Sequence, residues 1–219
     1  MDQRVATARR IGTGLSFMLA PVLFGLAFAA HPNLGSLEVS NDVGQKIEEF
    51  HGNDFMHFGH FMMLLSVPLL IVAAVRFMNL LDDVGARLGF AGGVAAVFGA
   101  VLLAVDKTAL CLVMSAFDTV PESQYPQLVP GIEALFGFEG YLAVLHLLVL
   151  LPLGFLLQGI GLHKARAVPR SQSVAIIIAS LGLGVAAAVD IDLFGLVSTA
   201  ILAVAFIPHG LTLLRDPAE

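Results

Sequence analysis

The sequence predicts an all-α integral membrane protein, a bundle of six transmembrane helices, and three observations support this fold class. Hydrophobic residues make up 58% of the chain and charged residues only 13%, whereas soluble domains carry roughly 25% charged residues. The mean hydropathy is +0.89. Six apolar runs approach or reach the ~20 residues that a helix needs to cross a bilayer. Because these runs take up most of the 219 residues, we expect one membrane domain over residues 1–219.

The predicted spans follow one another along the whole chain, near residues 11–30, 55–78, 88–117, 138–162, 172–189 and 193–213. The first run also resembles a secretory signal peptide, since Arg9 and Arg10 precede it and small residues end it at 27–30. Its apolar stretch exceeds the ~7 to 15 residues of such peptides, which favours a retained first span. The third span includes Asp106 and Lys107, which we expect either at the membrane surface or as a buried pair.

A short helix is predicted in the connection between the first and second spans. Val43, Ile47 and Phe50 recur at helical spacing, and Asn41 or Asp42 precedes them as a cap. An amphipathic helix of this kind buries its apolar face at the membrane interface. We therefore expect it to lie in the interface, in the first outer loop.

The remaining connections differ in length. Pro121, Pro126 and Pro130 interrupt the segment between the third and fourth spans, which we expect to be a loop with a short interfacial turn. The fifth and sixth spans are joined by little more than residues 190–192, which predicts a tight antiparallel hairpin. Small residues within the third and fifth spans predict close helix packing in lipid: Gly89, Gly92, Gly93, Gly99, Gly182 and Gly184. These glycines belong to no nucleotide-binding motif, and no nucleic-acid partner is expected.

The charged residues predict the orientation of the bundle, because positively charged loops stay on the cytoplasmic side. If the spans alternate in direction, all of the following basic residues fall on one side: Arg4, Arg9, Arg10, Arg76, Arg87, Lys164, Arg166, Arg170 and Arg215. The opposite connections are mostly acidic, and they contain Glu38, Asp42, Glu48, Glu49, Asp118, Glu122, Glu133, Asp190 and Asp192. We therefore expect a multi-pass protein of the cell membrane with both termini in the cytoplasm.

One acid and two histidines mark the start of the second span. Asp54, His57 and His60 are each three residues apart, so they occupy one broad face of a helix. Ionisable groups beside lipid are costly to bury, and each one is a functional-site hypothesis by default. At ~1.5 Å per residue, His57 and His60 lie in the outer third of the bilayer, and His146 of the fourth span lies at a similar level. Asp106 reaches the same layer near the outer end of the third span.

A metal site is the first functional hypothesis for this layer. Imidazole and carboxylate groups suit zinc, iron or copper and do not select among them. The predicted ligands come from three spans: His57, His60, Asp106 and His146. Asp106 would bind the ion directly or orient a ligating histidine through a hydrogen bond. Asp54, near the start of its helix, would act as the catalytic base for a metal-bound water, with Glu139 as the alternative base.

Two other interpretations use the same residues. In the first, His60 and His146 hold haem b from opposite sides, an arrangement that favours electron transfer. In the second, the histidines are structural: they lie partly hydrated at the headgroup boundary and bond to Asp54 or a neighbouring carbonyl, while Asp106 pairs with Lys107. A metal or haem bound to the purified protein would distinguish these interpretations.

The position of the layer indicates what kind of molecule would reach it. A site in the outer leaflet meets amphiphiles sideways from the lipid, so we expect a lipid-like or quinone-like ligand. A transporter would place polar residues near the bilayer centre, yet the first, fifth and sixth spans have almost none there. The sequence leaves open whether the protein is an enzyme or a non-catalytic accessory subunit of a larger membrane complex. It also leaves open whether the chain forms an oligomer. The other histidines are expected to be solvated or interfacial: His31, His51, His163 and His209.

Overall fold

The computed structural model describes residues 3–31, 34, 43–189 and 191–215, without the side chains at 43–46 and 108–110. Within these residues the chain folds into eight α-helices and no strand. The helices are α1 (Gln3–Ala29), α2 (Val43–Phe50), α3 (Asp54–Leu80), α4 (Ala86–Asp106), α5 (Tyr125–Phe136), α6 (Leu150–Ala165), α7 (Arg170–Val189) and α8 (Asp192–Arg215).

Six helical segments of the described chain are long and apolar enough to cross a membrane: α1, α3, α4, Gly140–Ala165, α7 and α8. This finding confirms the predicted all-helical class and the number of spans, so the protein is a multi-pass membrane protein. The short helix predicted between the first two spans is present as α2, whereas its predicted caps, Asn41 and Asp42, lie outside the described residues. α7 ends at Val189 and α8 begins at Asp192, which confirms the tight connection.

Two stretches of the spans depart from α-helical geometry. α4 ends at Asp106, and the chain continues as a π-helical turn at Lys107–Leu112 and a 3₁₀-helix at Ser115–Thr119. The fourth span begins as a 3₁₀-helix at Gly140–Val149 before it continues as α6. A 3₁₀-helix rises ~2.0 Å per residue and an α-helix only ~1.5 Å. This half of the fourth span is therefore longer and thinner than an α-helix of the same residues.

The six spanning helices form a closed ring. α1 packs against α3 and α8, α4 packs against α3 and α6, and α7 packs against α6 and α8. Four phenylalanines from four helices meet inside the ring, with ring centroids 5.0 to 6.4 Å apart: Phe17, Phe77, Phe155 and Phe206. These contacts are mostly edge-to-face, the geometry that aromatic rings prefer. The interior of the bundle is thus packed with side chains.

The first turns of α1 and the last turns of α8 lie at the same end of the ring. Arg10 donates a hydrogen bond through Nη1 to the carbonyl oxygen of Leu214, 3.3 Å away, and this contact joins α1 to α8. We call this the terminal end of the bundle. At the opposite end, which we call the loop end, α2 and α5 pack with the start of α3 around a second apolar cluster that includes Ile47, Phe50 and Ile132. Cys111 is buried in that cluster.

α4 and α6 approach each other closely because glycines face each other across their interface. A Cβ atom at Gly92 would lie 2.7 Å from the carbonyl oxygen of Gly154, a distance that real Cβ atoms do not show. A Cβ atom at Gly154 would in turn collide with the backbone of Ala96. This confirms that the glycines of the third span provide close packing, the usual way in which helices associate in lipid.

This interface yields a test of the packing. We expect Gly154→Ala to lower the free energy of unfolding by about 1 to 3 kcal/mol, because the added methyl group meets backbone that cannot rotate away. Gly184 on α7 is the matched control, since a Cβ atom there meets nothing within 4 Å. Gly184→Ala should leave stability unchanged or raise it slightly, because alanine favours helix more than glycine does. Thermal unfolding in detergent, followed by circular dichroism, measures both, and equal melting temperatures would contradict the proposed contact.

Candidate functional site

The predicted site begins where α3 begins. The side chain of Asn53 accepts a hydrogen bond from the backbone N–H of Met56 at 3.1 Å, so the first turn of α3 is capped. In the first turns of this helix, His60 faces Phe50 of α2 and His31 at the end of α1, and His57 faces Asp118 at the loop end. Together with His31 and His51, these two residues form what we call the histidine layer.

His60 is buried and not hydrated at a headgroup boundary. Only 1% of its surface is exposed. Its Nδ1 atom donates to the carbonyl oxygen of Met56 at 3.0 Å, because a carbonyl can only accept. The ring stacks on Phe50 of α2, with centroids 5.4 Å apart, and lies 4.9 Å from the ring of His31. The structural interpretation was right about the carbonyl partner and wrong about hydration, because α2 covers the residue.

Asp118, and not Asp54, is the carboxylate that pairs with His57. The Nε2 atom of His57 lies 3.0 Å from one carboxylate oxygen of Asp118, and the backbone N–H of Gly52 donates to the other oxygen at 3.0 Å. The Nδ1 atom of His51 is 3.7 Å from the same carboxylate. Asp54 is exposed. Asp118 thus ties the start of α3 to the segment that follows the π-helical turn.

Tyr125 extends this network by one residue. Its hydroxyl group hydrogen-bonds to Nδ1 of His51, and the two rings meet edge to face. Partial desolvation, followed by the nearby carboxylates of Glu122 and Asp118, raises the pKa of the Tyr125 phenol. The phenol therefore stays protonated near neutral pH and is available to donate to His51.

His31 also has a carboxylate partner and is not simply solvated. Its Nδ1 atom lies 2.9 Å from a carboxylate oxygen of Asp192, and this contact joins the end of α1 to the start of α8. The second ring nitrogens, Nε2 of His31 and Nδ1 of His57, are buried and have no hydrogen-bond partner among the described residues. Two histidines of the layer thus each contact a carboxylate with one ring nitrogen, while the other ring nitrogen is buried without a hydrogen-bond partner among the described residues.

The four predicted metal ligands are not gathered into one ligand set. Asp106 is buried and pairs with Lys107, whose Nζ atom is 3.3 Å away, so the buried-pair alternative is confirmed. His146 is exposed, and its Nδ1 atom faces the carbonyl oxygen of Ala143 at 3.1 Å. Over the described part of the chain, no group of three or more histidine, cysteine, aspartate or glutamate side chains is arranged to hold a metal ion. Glu139, the alternative base, is exposed.

A large cavity lies at the other end of the molecule. It has a volume of about 870 Å³ and lies between α1, α3, α8 and the α6–α7 connection, at the terminal end. Arg9, Arg10 and Arg76 line it together with His209. Among the described residues that line it, none is acidic. We call this space the arginine cavity.

The spacing of polar residues in the sequence indicates the arginine cavity. The pattern is easily missed, because arginines at the ends of spans are also expected as orientation signals. Arg9, Thr13 and Ser16 recur at helical spacing along α1, and Arg76 and Asn79 lie three residues apart on α3. All five residues line the cavity. Two polar stripes beside otherwise apolar runs are the pattern that indicates a shared polar space between two spanning helices.

Comparison of the chain with protein-family models, with curated proteins and with solved structures returns no match.

The histidine layer yields a test that separates the two carboxylates. We expect Asp118→Ala to lower the free energy of unfolding by about 1 to 3 kcal/mol, because His57 and the Gly52 amide lose their acceptor. Asp54→Ala should cost less, at most the ~0.3 to 1 kcal/mol of a charge at a helix N-terminus. Thermal unfolding of both variants in detergent gives the order. A larger loss for Asp54→Ala would restore the sequence-based pairing.

Proposed function

We propose that this six-span membrane protein binds a lipid-like ligand in the arginine cavity. The observation that carries the proposal is the cavity itself, whose volume of about 870 Å³ lies within the range of ~300 to 1,000 Å³ that accommodates small organic ligands. Its walls are of two kinds. Ile71, Val72 and Val75 of α3 supply an apolar wall, and Thr13 and the arginines supply a polar one. A molecule with an apolar chain and a polar headgroup matches both.

The same charges support a proposal for which side of the membrane the cavity faces. Basic residues cluster at the terminal end, and we assign that end to the cytoplasm because positively charged segments stay inside. The arginine cavity then opens at the inner leaflet, while α2 and α5 lie on the outer side, with α2 at the interface. This assignment moves the lipid-like ligand from the outer layer, where the sequence predicted it, to the inner side.

The histidine layer offers little room for such a ligand. The cavity beside Phe50, His51, Asp118 and Tyr125 has a volume of about 10 Å³, which is the lower limit for a single water molecule. The polar groups there bond to one another and to backbone. The contrast in volume between the two ends favours the arginine cavity as the ligand site.

A substitution that fills the cavity tests the proposal. Gly12 lines the arginine cavity, and a Cβ atom there meets nothing within 4 Å, so the side chain of Gly12→Leu starts in open space beside the cavity. We expect lipid affinity to fall by about tenfold or more, the effect of losing ~1.4 kcal/mol of binding free energy. Native mass spectrometry of delipidated protein with added phospholipid measures the change.

Gly184→Leu is the matched control, because Gly184 lies on α7, outside the cavity lining, and also has open space around it. It should bind phospholipid as the unchanged protein does. Equal binding by the Gly12 and Gly184 variants would refute the cavity as the ligand site and would favour the accessory-subunit alternative.

The histidine layer supports a second proposal, that it holds one zinc, iron or copper ion. The specific observation is the pair of histidine–carboxylate contacts, His57 with Asp118 and His31 with Asp192. Proteins orient metal-binding imidazoles in this way, with one ring nitrogen on a carboxylate and the other on the metal. His60 lies beside His31, with ring centroids 4.9 Å apart. Because the described side chains form no set of three ligands, the proposal requires them to move closer together when a metal binds. The proposed haem alternative uses His60 with His146 and is tested on the same sample.

Elemental analysis of the purified protein tests the metal proposal, and an absorption spectrum with a Soret band would indicate haem instead. We expect the double variant His57→Ala with His60→Ala to lose its metal while it still inserts into membranes. His163→Ala is a suitable control, because His163 hydrogen-bonds to Ser173 near the terminal end. Stoichiometric metal in the double variant, or none in the unchanged protein, would overturn the assignment.

A further inference from the structure

We infer that the ligand of the arginine cavity enters sideways from the lipid, through an opening between α1 and α3, and keeps an acyl chain in the bilayer while it is bound. This inference rests on the proposed function and deepens it, because it assigns the ligand to membrane lipids with at least one long chain. We call the space between the two helices the side opening.

The lipid-facing side of α1 leads into the cavity. Leu15, Leu19, Val22 and Leu26 follow one another at intervals of three or four residues, and each is 43 to 47% exposed. Residues at this spacing share one face of a helix, and an exposed apolar face of a spanning helix meets lipid. Gly12 continues this row towards the terminal end, where it is exposed and lines the cavity. The cavity therefore reaches the lipid-facing side of α1.

The lipid-facing side of α3 leads to the same place. Phe58, Phe61 and Leu65 form an exposed row near the loop end. Val72 and Val75 continue this row two and three turns further on, are also exposed, and line the cavity. Since α1 and α3 are neighbours in the ring, two lipid-facing rows end at one cavity. This arrangement places the side opening between the two helices.

The absence of a side chain at Gly12 widens the side opening. The row above it consists of leucine and valine, whereas a Cβ atom at Gly12 would meet nothing within 4 Å. Behind Gly12 the cavity is lined by Ser16 and Val168, which are buried. The hydroxyl group of Ser16 donates to the carbonyl oxygen of Gly12 at 2.8 Å and so stays against its own helix. The cavity thus extends from the exposed face of α1 to buried residues.

The same two helices are closed against each other at the loop end. A Cβ atom at Gly59 of α3 would lie 2.5 Å from the Cβ atom of Ala30 and 3.2 Å from the carbonyl oxygen of Ala27. Between this contact and the cavity each helix contains a proline, Pro21 in α1 and Pro68 in α3. Proline bends a helix because it lacks an N–H and collides with the preceding turn. The side opening is therefore confined to the terminal half and meets one leaflet.

This route favours a membrane lipid as the ligand. Withdrawing an acyl chain from lipid into water costs free energy for every CH₂ group. A lipid that moves through the side opening avoids this cost, since its chain stays among other chains. Val72 and Val75 provide an apolar wall for the chain, and Thr13 provides a hydroxyl group beside it. A water-soluble molecule gains nothing from a route of this kind.

Tryptophan fluorescence tests the side opening, because the chain contains no tryptophan and one substitution supplies the whole signal. Thr13→Trp places the reporter in the cavity lining. Val22→Trp is the reference for lipid, on the exposed row of α1 beyond the cavity, and Val84→Trp is the reference for water, in the exposed α3–α4 connection. Each full-length variant is reconstituted in phosphatidylcholine bilayers with plain or brominated chains, and acrylamide is added as the quencher in water.

We expect the brominated chains to lower the fluorescence of Thr13→Trp to a similar extent as that of Val22→Trp, and that of Val84→Trp much less. Gly12→Leu combined with Thr13→Trp should reduce this quenching, because leucine narrows the side opening. Val75→Trp repeats the measurement from α3, at an exposed residue where a larger side chain is tolerated.

The outcomes separate the side opening from the proposed function. Quenching of Thr13→Trp and Val75→Trp by acrylamide and not by brominated chains would overturn the side opening, and so would quenching by neither. The lipid site itself would stand in both cases if phospholipid binding in detergent were still lost in Gly12→Leu. Quenching by brominated chains together with phospholipid binding that Gly12→Leu leaves unchanged would support the side opening and overturn the proposed lipid site.

Discussion

The packing of four phenylalanines inside the helical ring is the contact on which the rest of the molecule depends. Phe17, Phe77 and Phe206 contact one another at 5.0 to 5.7 Å, and Phe155 joins two of them. In lipid, helices gain little from expelling water, so such packing must hold them together. A filled, apolar interior leaves polar chemistry to the two ends. Gln158 is a buried exception, and it donates to the carbonyl oxygen of Ala74 at 2.8 Å.

The fold was predictable where lipid imposes a local rule on the sequence. A span must be long and apolar, and this rule found six helices without any knowledge of their contacts. The same rule identified His57 and His60 as costly residues that need partners. It did not identify Asp118, because that carboxylate lies 61 residues from His57 in the chain and meets it only after folding. His31 and Asp192, 161 residues apart, were missed for the same reason.

The arginine cavity was missed for a different physical reason. Basic residues at span ends already have an explanation in membrane topology, so Arg9 and Arg10 carried no further information on their own. Only Arg76, placed inside the last turn of α3 and partly buried, departs from that explanation. Whether arginines on two helices share one space depends on how the helices pack. α1 and α3 are neighbours in the ring. The length and hydropathy of the spans do not predict which helices are neighbours.

The contrast between the two ends bears on what the molecule does with a ligand. At the loop end, Asp118 and Asp192 are each paired with a histidine, and the cavity there is close to the minimum for one water molecule. At the terminal end, arginines surround a cavity more than an order of magnitude larger in volume. None of the four phenylalanines is among the described lining residues, and His209, which lines the cavity, packs against Phe17. A ligand that enters at the terminal end therefore meets packed side chains before it could reach the loop end. This arrangement favours a protein that receives and holds its ligand from one leaflet over one that conducts it across the membrane.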